Sequence, residues 1–265
     1  MARSFSHMVR SMDQPPTRPV PAGSQESLLS TKAIPREERL IFALDVSRVE
    51  EAKRLVELLG DTVCFYKLGL ELFMAGGYFE LVDWLTKQGK KVFVDLKFFD
   101  VPETVARAVS QLNGKGATFV TVHGNDGILE AACRVKDDVQ VLAVTVLTSL
   151  DQSDLEALGF KCDVPTLVLS RAKRALALGC DGVISSGLES RQLRTELGER
   201  FLIVTPGIRP VFNGTPDDQK RVVGVEEAFL NGADYIVVGR PIKNATNQRQ
   251  AAADIQATIA KLFPR

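Results

Sequence analysis

Lys91-Val92-Phe93-Val94-Asp95-Leu96-Lys97-Phe98-Phe99-Asp100 decides the fold. Its opening run of Val and Phe is apolar at successive positions, as a strand buried on both faces of a parallel sheet requires. Charge then arrives all at once at the exit. Alternate side chains of a strand share a face, so Asp95 and Lys97 project to one side and Asp100 follows just beyond, two carboxylates around one ammonium where strand gives way to loop. Opposite charges hold each other ionised, which suits an acid that delivers a proton to a strongly basic centre. Taken alone, an Asp-x-Lys pair is more often a structural ion pair at a strand end; the pattern on either side decides between the two.

Outward from this stretch, from residue 40 on, β-branched apolar runs alternate with helical stretches, and no Gly/Pro-rich break divides them into two domains. The runs predict eight strands at 40–44, 63–67, 91–95, 119–122, 139–146, 182–185, 201–204 and 235–238. Between them apolar residues recur at helical spacing, as in Ala52, Leu55, Val56 and Leu59 or Val105, Ala108, Val109 and Leu112. Pro102 is placed to open the third helix, where a missing N–H costs nothing, and a last helix near 248–263 closes the ring. Eight strand-then-helix units predict an α/β fold, a (β/α)8 TIM barrel. A doubly wound open sheet shares the alternation, but Asp45-Val46-Ser47 follows the first strand where a dinucleotide fold carries G-x-G-x-x-G.

A single catalytic barrel over residues 37–265 is expected, behind a disordered leader at 1–36. That leader crowds Pro15, Pro16, Pro19 and Pro21 and lacks an apolar h-region. Its basic, acid-poor start leaves an organellar transit peptide as the alternative reading. Lys+Arg and Asp+Glu balance at 33 each, so no excess charge advertises a nucleic-acid partner or an anionic membrane, and no apolar stretch nears the roughly 20 residues that cross a bilayer. Cys64, Cys133, Cys162 and Cys180 are scattered without a C-x-x-C pair, which argues against a zinc ribbon or disulfide framework and for a reducing, cytoplasmic location. His7 and His123 are the only histidines, too few for a multi-histidine metal site, and His123 reads as a structural strand-end residue.

In a barrel the reactive groups belong at the carboxyl ends of the strands. Those ends here carry Asp45, Lys67 with Gly69, Asp95 with Lys97 and Asp100, His123, Thr148 with Ser149, Ser185 with Ser186, Thr205 to Arg209, and Gly239 with Arg240. Any one of them alone is more often a helix cap or turn residue. At the seventh and eighth ends, where barrels often bind phosphate, Gly207 and Gly239 allow close backbone approach while Arg209 and Arg240 offer guanidinium forks. The loop between Arg209 and Arg221, bearing Pro210, Gly214 and Pro216, reads as a lid or as an ordinary surface loop.

Asp95-Leu96-Lys97-Phe98-Phe99-Asp100-Val101-Pro102-Glu103-Thr104-Val105 resembles the signature of the orotidine 5'-phosphate decarboxylases. The likeness continues through Ala43-Leu44-Asp45, Tyr66-Lys67-Leu68-Gly69, Thr121-Val122-His123, Val144 to Ser149, Pro206-Gly207-Ile208-Arg209 and Val238-Gly239-Arg240-Pro241, spanning about residues 38–263. It implies a barrel of the ribulose-phosphate-binding type that removes carbon dioxide from orotidine 5'-monophosphate (OMP) to give UMP, with neither metal nor organic cofactor. By motif, Lys97 would protonate C6 of the pyrimidine, Asp95 would lie beside the departing group, and Lys67 would bridge the charged array and touch the ribose. Asp45 would bind a ribose hydroxyl, and Asp100 and Thr104 would reach the neighbouring site of a homodimer. Thr148, with Ser149 close by, would address the pyrimidine edge, while Gln219 in the lid, Gly239 and Arg240 would hold the phosphate, supported by Arg209. Phe99 and Glu103 stand where many bacterial members carry His and Asn, and Val101 replaces a common Ile; none supplies a catalytic atom in the family scheme.

Two other functions fit parts of this pattern. A barrel decarboxylase or aldolase acting on a sugar phosphate would keep D-x-K-x-x-D but add carboxylates for Mg²⁺, whereas here Lys67 occupies the second strand end. A silent, nucleotide-binding barrel would be expected to have lost part of the charged set, all of which is present.

Overall fold

The computed structural model describes residues 27–209 and 222–264. Its eight strands are β1 (Leu40–Ala43), β2 (Phe65–Leu68), β3 (Lys91–Phe98), β4 (Ala117–Val122), β5 (Gln140–Val144), β6 (Gly182–Ile184), β7 (Leu202–Thr205) and β8 (Tyr235–Val238). Each is parallel to its neighbours in chain order, and β8 pairs with β1, closing the barrel. The helices are α1 (Val49–Leu59), α2 (Leu70–Ala75), α3 (Tyr78–Lys87), α4 (Pro102–Ser110), α5 (Asp126–Val135), α6 (Gln152–Ala157), α7 (Val164–Ala177), α8 (Gly187–Leu197), α9 (Val225–Leu230), α10 (Arg240–Lys243) and α11 (Gln248–Leu262). The strand pattern therefore sorts the two α/β alternatives in favour of the TIM barrel. Pro102 does open a helix, but it is α4, because the second crossover breaks in two where Gly76 and Gly77 both take positive φ.

Period-2 alternation divides each strand between two cores. Outward residues such as Phe42, Tyr66, Val94 and Val120 pack beneath the helices, while inward ones, among them Ile41, Phe65, Phe93, Phe119, Leu142, Tyr235 and Val237, fill the barrel. The inward aromatic rings form a plug: Phe119 lies 5.2 Å from both Phe65 and Tyr235 and 5.8 Å from Phe93, centroid to centroid. One inward step further along β2, β3 and β4 the residues become Lys67, Asp95 and Thr121. Charge thus begins directly above an aromatic floor.

The expected strand limits agree to within two residues except at β3, which continues to Phe98 instead of stopping at Asp95. It does so through a bulge: Val94 pairs with Val120 but Phe98 with Val122, so the segment holding Asp95, Leu96 and Lys97 is longer than the one it faces. Lys97 takes φ 49°, the one left-handed non-glycine among the described residues. A side chain in that region costs on the order of 1–2 kcal/mol, offset here because its N–H donates to Thr121 Oγ1 at 2.9 Å.

The expected leader is corrected at its inner end. Leu28 N–H donates to Leu230 O, Ser30 is 6% exposed with its hydroxyl donating to Asp234, and Ile34 packs against the barrel interior. The reason is Asp234 itself, fully buried at the foot of β8, where it takes hydrogen bonds from Arg194 (2.7 Å), Lys32 (3.0 Å) and the N–H of Ile203 (2.9 Å). A buried carboxylate must be paired, and the chain before β1 supplies part of the pairing. The rest of the leader, 1–26, lies outside the described residues, as does the expected lid at 210–221.

Candidate active site

Asp95 is 8% exposed, so water cannot stabilise its charge and protein groups must. Three do. Lys97 Nζ lies 2.8 Å from its Oδ1, Lys67 Nζ 3.3 Å from its Oδ2, and Thr121 donates its hydroxyl to Oδ1 at 2.9 Å. Burial alone would raise the carboxyl's pKa, but the two ammoniums and these hydrogen bonds outweigh it and hold Asp95 below the usual carboxylate range. Lys67 is the counterpart: burial favours its neutral form, yet Asp95 and Asp45, the latter 3.1 Å away, push it above the usual lysine value.

The order of charges differs from the expected one. In this chain a carboxylate sits between two ammoniums, Lys67–Asp95–Lys97. Asp100 does not flank Lys97: its Oδ1 accepts the N–H of Val101 at 2.6 Å and the residue is exposed. Even unbroken alternation would put Asp100, three residues after Lys97, on the opposite face, and the bulge with the left-handed turn at Lys97 ends the regular strand geometry before it. Thr104, on the first turn of α4, is exposed beside it, as are Phe99 (68%) and Val101 (63%).

The charged array forms one wall of a cavity of about 250 Å³ at the barrel mouth. Asp45, Lys67, Asp95, Lys97, Thr148, Arg209, Gly239 and Arg240, all expected site residues, line it together with Ser149. Asp45 is fixed from two sides, its carboxylate by Lys67 and its backbone oxygen by Lys243 Nζ at 2.6 Å. Space is tight around it: a Cβ on Gly69 would stand 3.3 Å from Lys67 Nζ, and one on Gly239 3.6 Å from Asp45 Oδ2. Arg240 begins α10 with Gly239 as its cap, and Arg209 is anchored where its N–H donates to Val223 O. Gln219 lies outside the described residues.

Apolar side chains complete the cavity: Phe93 beneath, Val144, Ile184 and Val237 along the barrel, and Leu147 and Pro206 at the rim. They exclude water, which strengthens every charge–charge interaction beside them. Thr121 was overlooked as a functional residue. Its signal was available, since it shares the inward face of β4 with Phe119 and a hydroxyl there needs a partner. Ser186 caps α8, its hydroxyl accepting from Leu188 N–H, and Ser185 is buried, so neither reaches the cavity. His123 holds the end of β4, its N–H donating to Phe98 O and its ring 5.3 Å from that of Phe99. Burial, then Arg171 and Lys97, lower its pKa.

Among the described residues, no group of three or more His, Cys, Asp or Glu side chains could hold a metal ion. No helix among them is long and apolar enough to cross a membrane.

Residues 38–255 match the family described as orotidine 5'-phosphate decarboxylase / HUMPS. An orotidine 5'-phosphate decarboxylase of Methylococcus capsulatus is 64% identical over 237 residues, covering 89% of this chain and 98% of that one. One from Xanthomonas campestris is 51% identical over 226 residues, 84% of this chain and 92% of its own. Among solved structures, the orotidine 5'-phosphate decarboxylase of Lactobacillus acidophilus superimposes with a TM-score of 0.74 at 35% identity, covering 84% of this chain and 99% of that one.

Proposed function

Because the chain belongs to the orotidine 5'-phosphate decarboxylase / HUMPS family and converts OMP to UMP at the last step of pyrimidine synthesis, we propose that Lys97 supplies the proton that replaces the departing carboxylate. Breaking the bond to carbon dioxide leaves its electron pair on C6 of the pyrimidine, with little resonance support. Lys97 Nζ then delivers a proton to C6, giving UMP, and the neutral amine recovers its proton from water. The observation that carries this reading is the Lys67–Asp95–Lys97 array over an aromatic floor, which fixes an ammonium beside a cavity that Arg209, Gly239 and Arg240 also line. Such preorganised charge needs no reorientation when the carbanion forms.

The remaining roles follow from position. Asp95 lies beside the departing carbon dioxide, Lys67 and Asp45 bind the ribose, and Thr148 and Ser149 address the pyrimidine. Gly239 and Arg240 hold the phosphate with Gln219, and Arg209 supports that end. Binding of the phosphate, remote from C6, supplies energy that closes the site and lowers the barrier at C6. The working form is a cytoplasmic homodimer in which Asp100 and Thr104 of each subunit reach the neighbouring site. Supporting this, Asp100, Thr104 and the apolar Phe99 and Val101 all face outward beside the mouth.

Loss of orotate absorbance from OMP, with purified protein and no added metal, tests the chemistry. Turnover that falls away in Lys97→Ala while UMP still binds supports the assignment; near-normal turnover removes Lys97 from it, and turnover lost on chelation calls for a metal in the step. Mixing inactive Lys97→Ala with inactive Asp100→Ala subunits tests the dimer, because a mixed pair rebuilds one site with both residues. No recovered activity would place Asp100 in its own subunit's site or in none.

A further inference from the structure

Four cysteines scattered along the chain contain one spatial pair. Cys133 lies in the last turn of α5 and Cys180 in the link that enters β6, 47 positions later, and their Sγ atoms are 3.4 Å apart. Both are thiols. Helix C-termini and strand starts lie at the end of the barrel opposite the mouth, so this pair is remote from Lys97 and the decarboxylation has no use for it.

The surroundings differ for the two sulfurs. Cys180 is 5% exposed, whereas Cys133 is only half-buried. Lys136, one turn beyond Cys133, is clamped across the same spot, its Nζ donating to Gly179 O at 2.7 Å and Asp181 Oδ2 at 2.6 Å. The hydrogen bond shared with Cys180, followed by the charge of Lys136, lowers the pKa of Cys133 against the effect of burial. The same hydrogen bond, with burial, raises that of Cys180. A half-buried sulfur beside the Lys136 ammonium, 3.4 Å from a buried one, is the arrangement of an attacking and a resolving cysteine.

We propose that Cys133 and Cys180 are a modification site at which a hydroperoxide is reduced and the two thiols close to a disulfide. The Cys133 thiolate attacks the terminal peroxide oxygen, the O–O bond breaks, and the leaving oxygen departs as water or alcohol with one proton, leaving Cys133 as the sulfenic acid. Cys180 Sγ then attacks Cys133 Sγ, and the displaced hydroxyl leaves as water with the Cys180 proton. Two thiols and one hydrogen peroxide thus give one disulfide and two waters, the sulfurs losing two electrons and the peroxide oxygens gaining them. The sulfurs must approach by roughly 1.4 Å to reach bonding distance. A dithiol reductant reverses the link.

The test uses the full-length, fully reduced chain, treated with stoichiometric hydrogen peroxide, quenched with N-ethylmaleimide and digested without reduction for mass spectrometry. The expected result is a crosslink between the peptides holding Cys133 and Cys180, with Cys64 and Cys162 still alkylated and OMP turnover changed less than twofold. In Cys180→Ser, or Cys180→Ala should the serine disturb packing, dimedone should trap the sulfenic acid at Cys133; in Cys133→Ser, Cys180 should stay reduced. Recovery of both cysteines alkylated after the peroxide has been consumed would overturn the proposal. So would sulfinic acid at Cys133 without a crosslink.

Discussion

The barrel holds a buried carboxylate at each end, and the two sit among different partners. At the mouth Asp95 is held by Lys67, Lys97 and Thr121; at the foot Asp234 is held by Arg194, Lys32, Ser30 and the N–H of Ile203. Both obey the rule that a buried charge must be paired and hydrogen-bonded. The partners differ in kind. Arg194 also donates to Gly232 O and Gly198 O, and Arg39, stacked 3.7 Å over Phe263, binds Asp234 O and Lys32 O, so two arginines, which never surrender a proton, knit the foot into the backbone alongside Lys32. At the mouth the cations are lysines, whose protons are transferable, and one side of the cluster opens on a cavity. On the proposed function, ion pairing alone makes structure, whereas ion pairing with a transferable proton and adjoining space makes chemistry.

The largest effect that could break this contrast is expected at Lys97. Lys97→Ala should lower kcat for OMP by about 10⁴-fold or more, the combined scale of a general acid and a preorganised charge, with a melting temperature within a few degrees of the parent. A stability loss without a rate loss would make the mouth merely structural. At the foot the reverse is expected. Asp234→Ala strands Arg194 and should cost about 3–5 kcal/mol in urea unfolding, while kcat per folded molecule stays within a factor of two or so of the parent's; a matching fall in kcat would show the ends to be coupled. Arg240→Ala sharpens the picture within the mouth. Loss of a charge-assisted fork should raise KM roughly 10- to 100-fold, with a smaller fall in kcat, as initial rates against OMP concentration will read.

The smallest expected effect is a change in slope with pH. Because the folded-state pKa of Asp95 is depressed, the stabilisation it brings is complete above its unfolded value, about 3.9, and is lost as pH falls through the folded value. Lys67, whose pKa is raised, contributes fully below about 10.4 and loses its share as pH rises through its folded value. Asp95→Asn should therefore flatten the acid limb of the urea midpoint below about pH 4. An unchanged limb would assign acid sensitivity to other carboxylates.

Much of this was legible in the sequence because short-range rules governed it. Buried strands announce themselves as Val-, Ile- and Phe-rich runs, so the eight-fold alternation and the positions of Asp45, Lys67, Asp95 and Arg240 at strand ends could be read directly. What escaped depended on tertiary geometry. The bulge in β3 has no local signal, since Lys97 is not a residue that ordinarily takes φ 49°, and the path of the chain from Lys97 to Asp100 cannot be read without it. Residues 27–36 look like tail until the buried Asp234 demands partners. Cys133 and Cys180 look unrelated until α5 and β6 bring them together.

The aromatic plug of Phe65, Phe93, Phe119 and Tyr235 closes the chamber from below among the described residues. On the proposed mechanism, substrate, carbon dioxide, nucleotide and the water that recharges Lys97 then all pass on the mouth side. Traffic in both directions then shares one rim, and a substitution that narrows the rim would limit turnover once passage became slower than bond breaking inside.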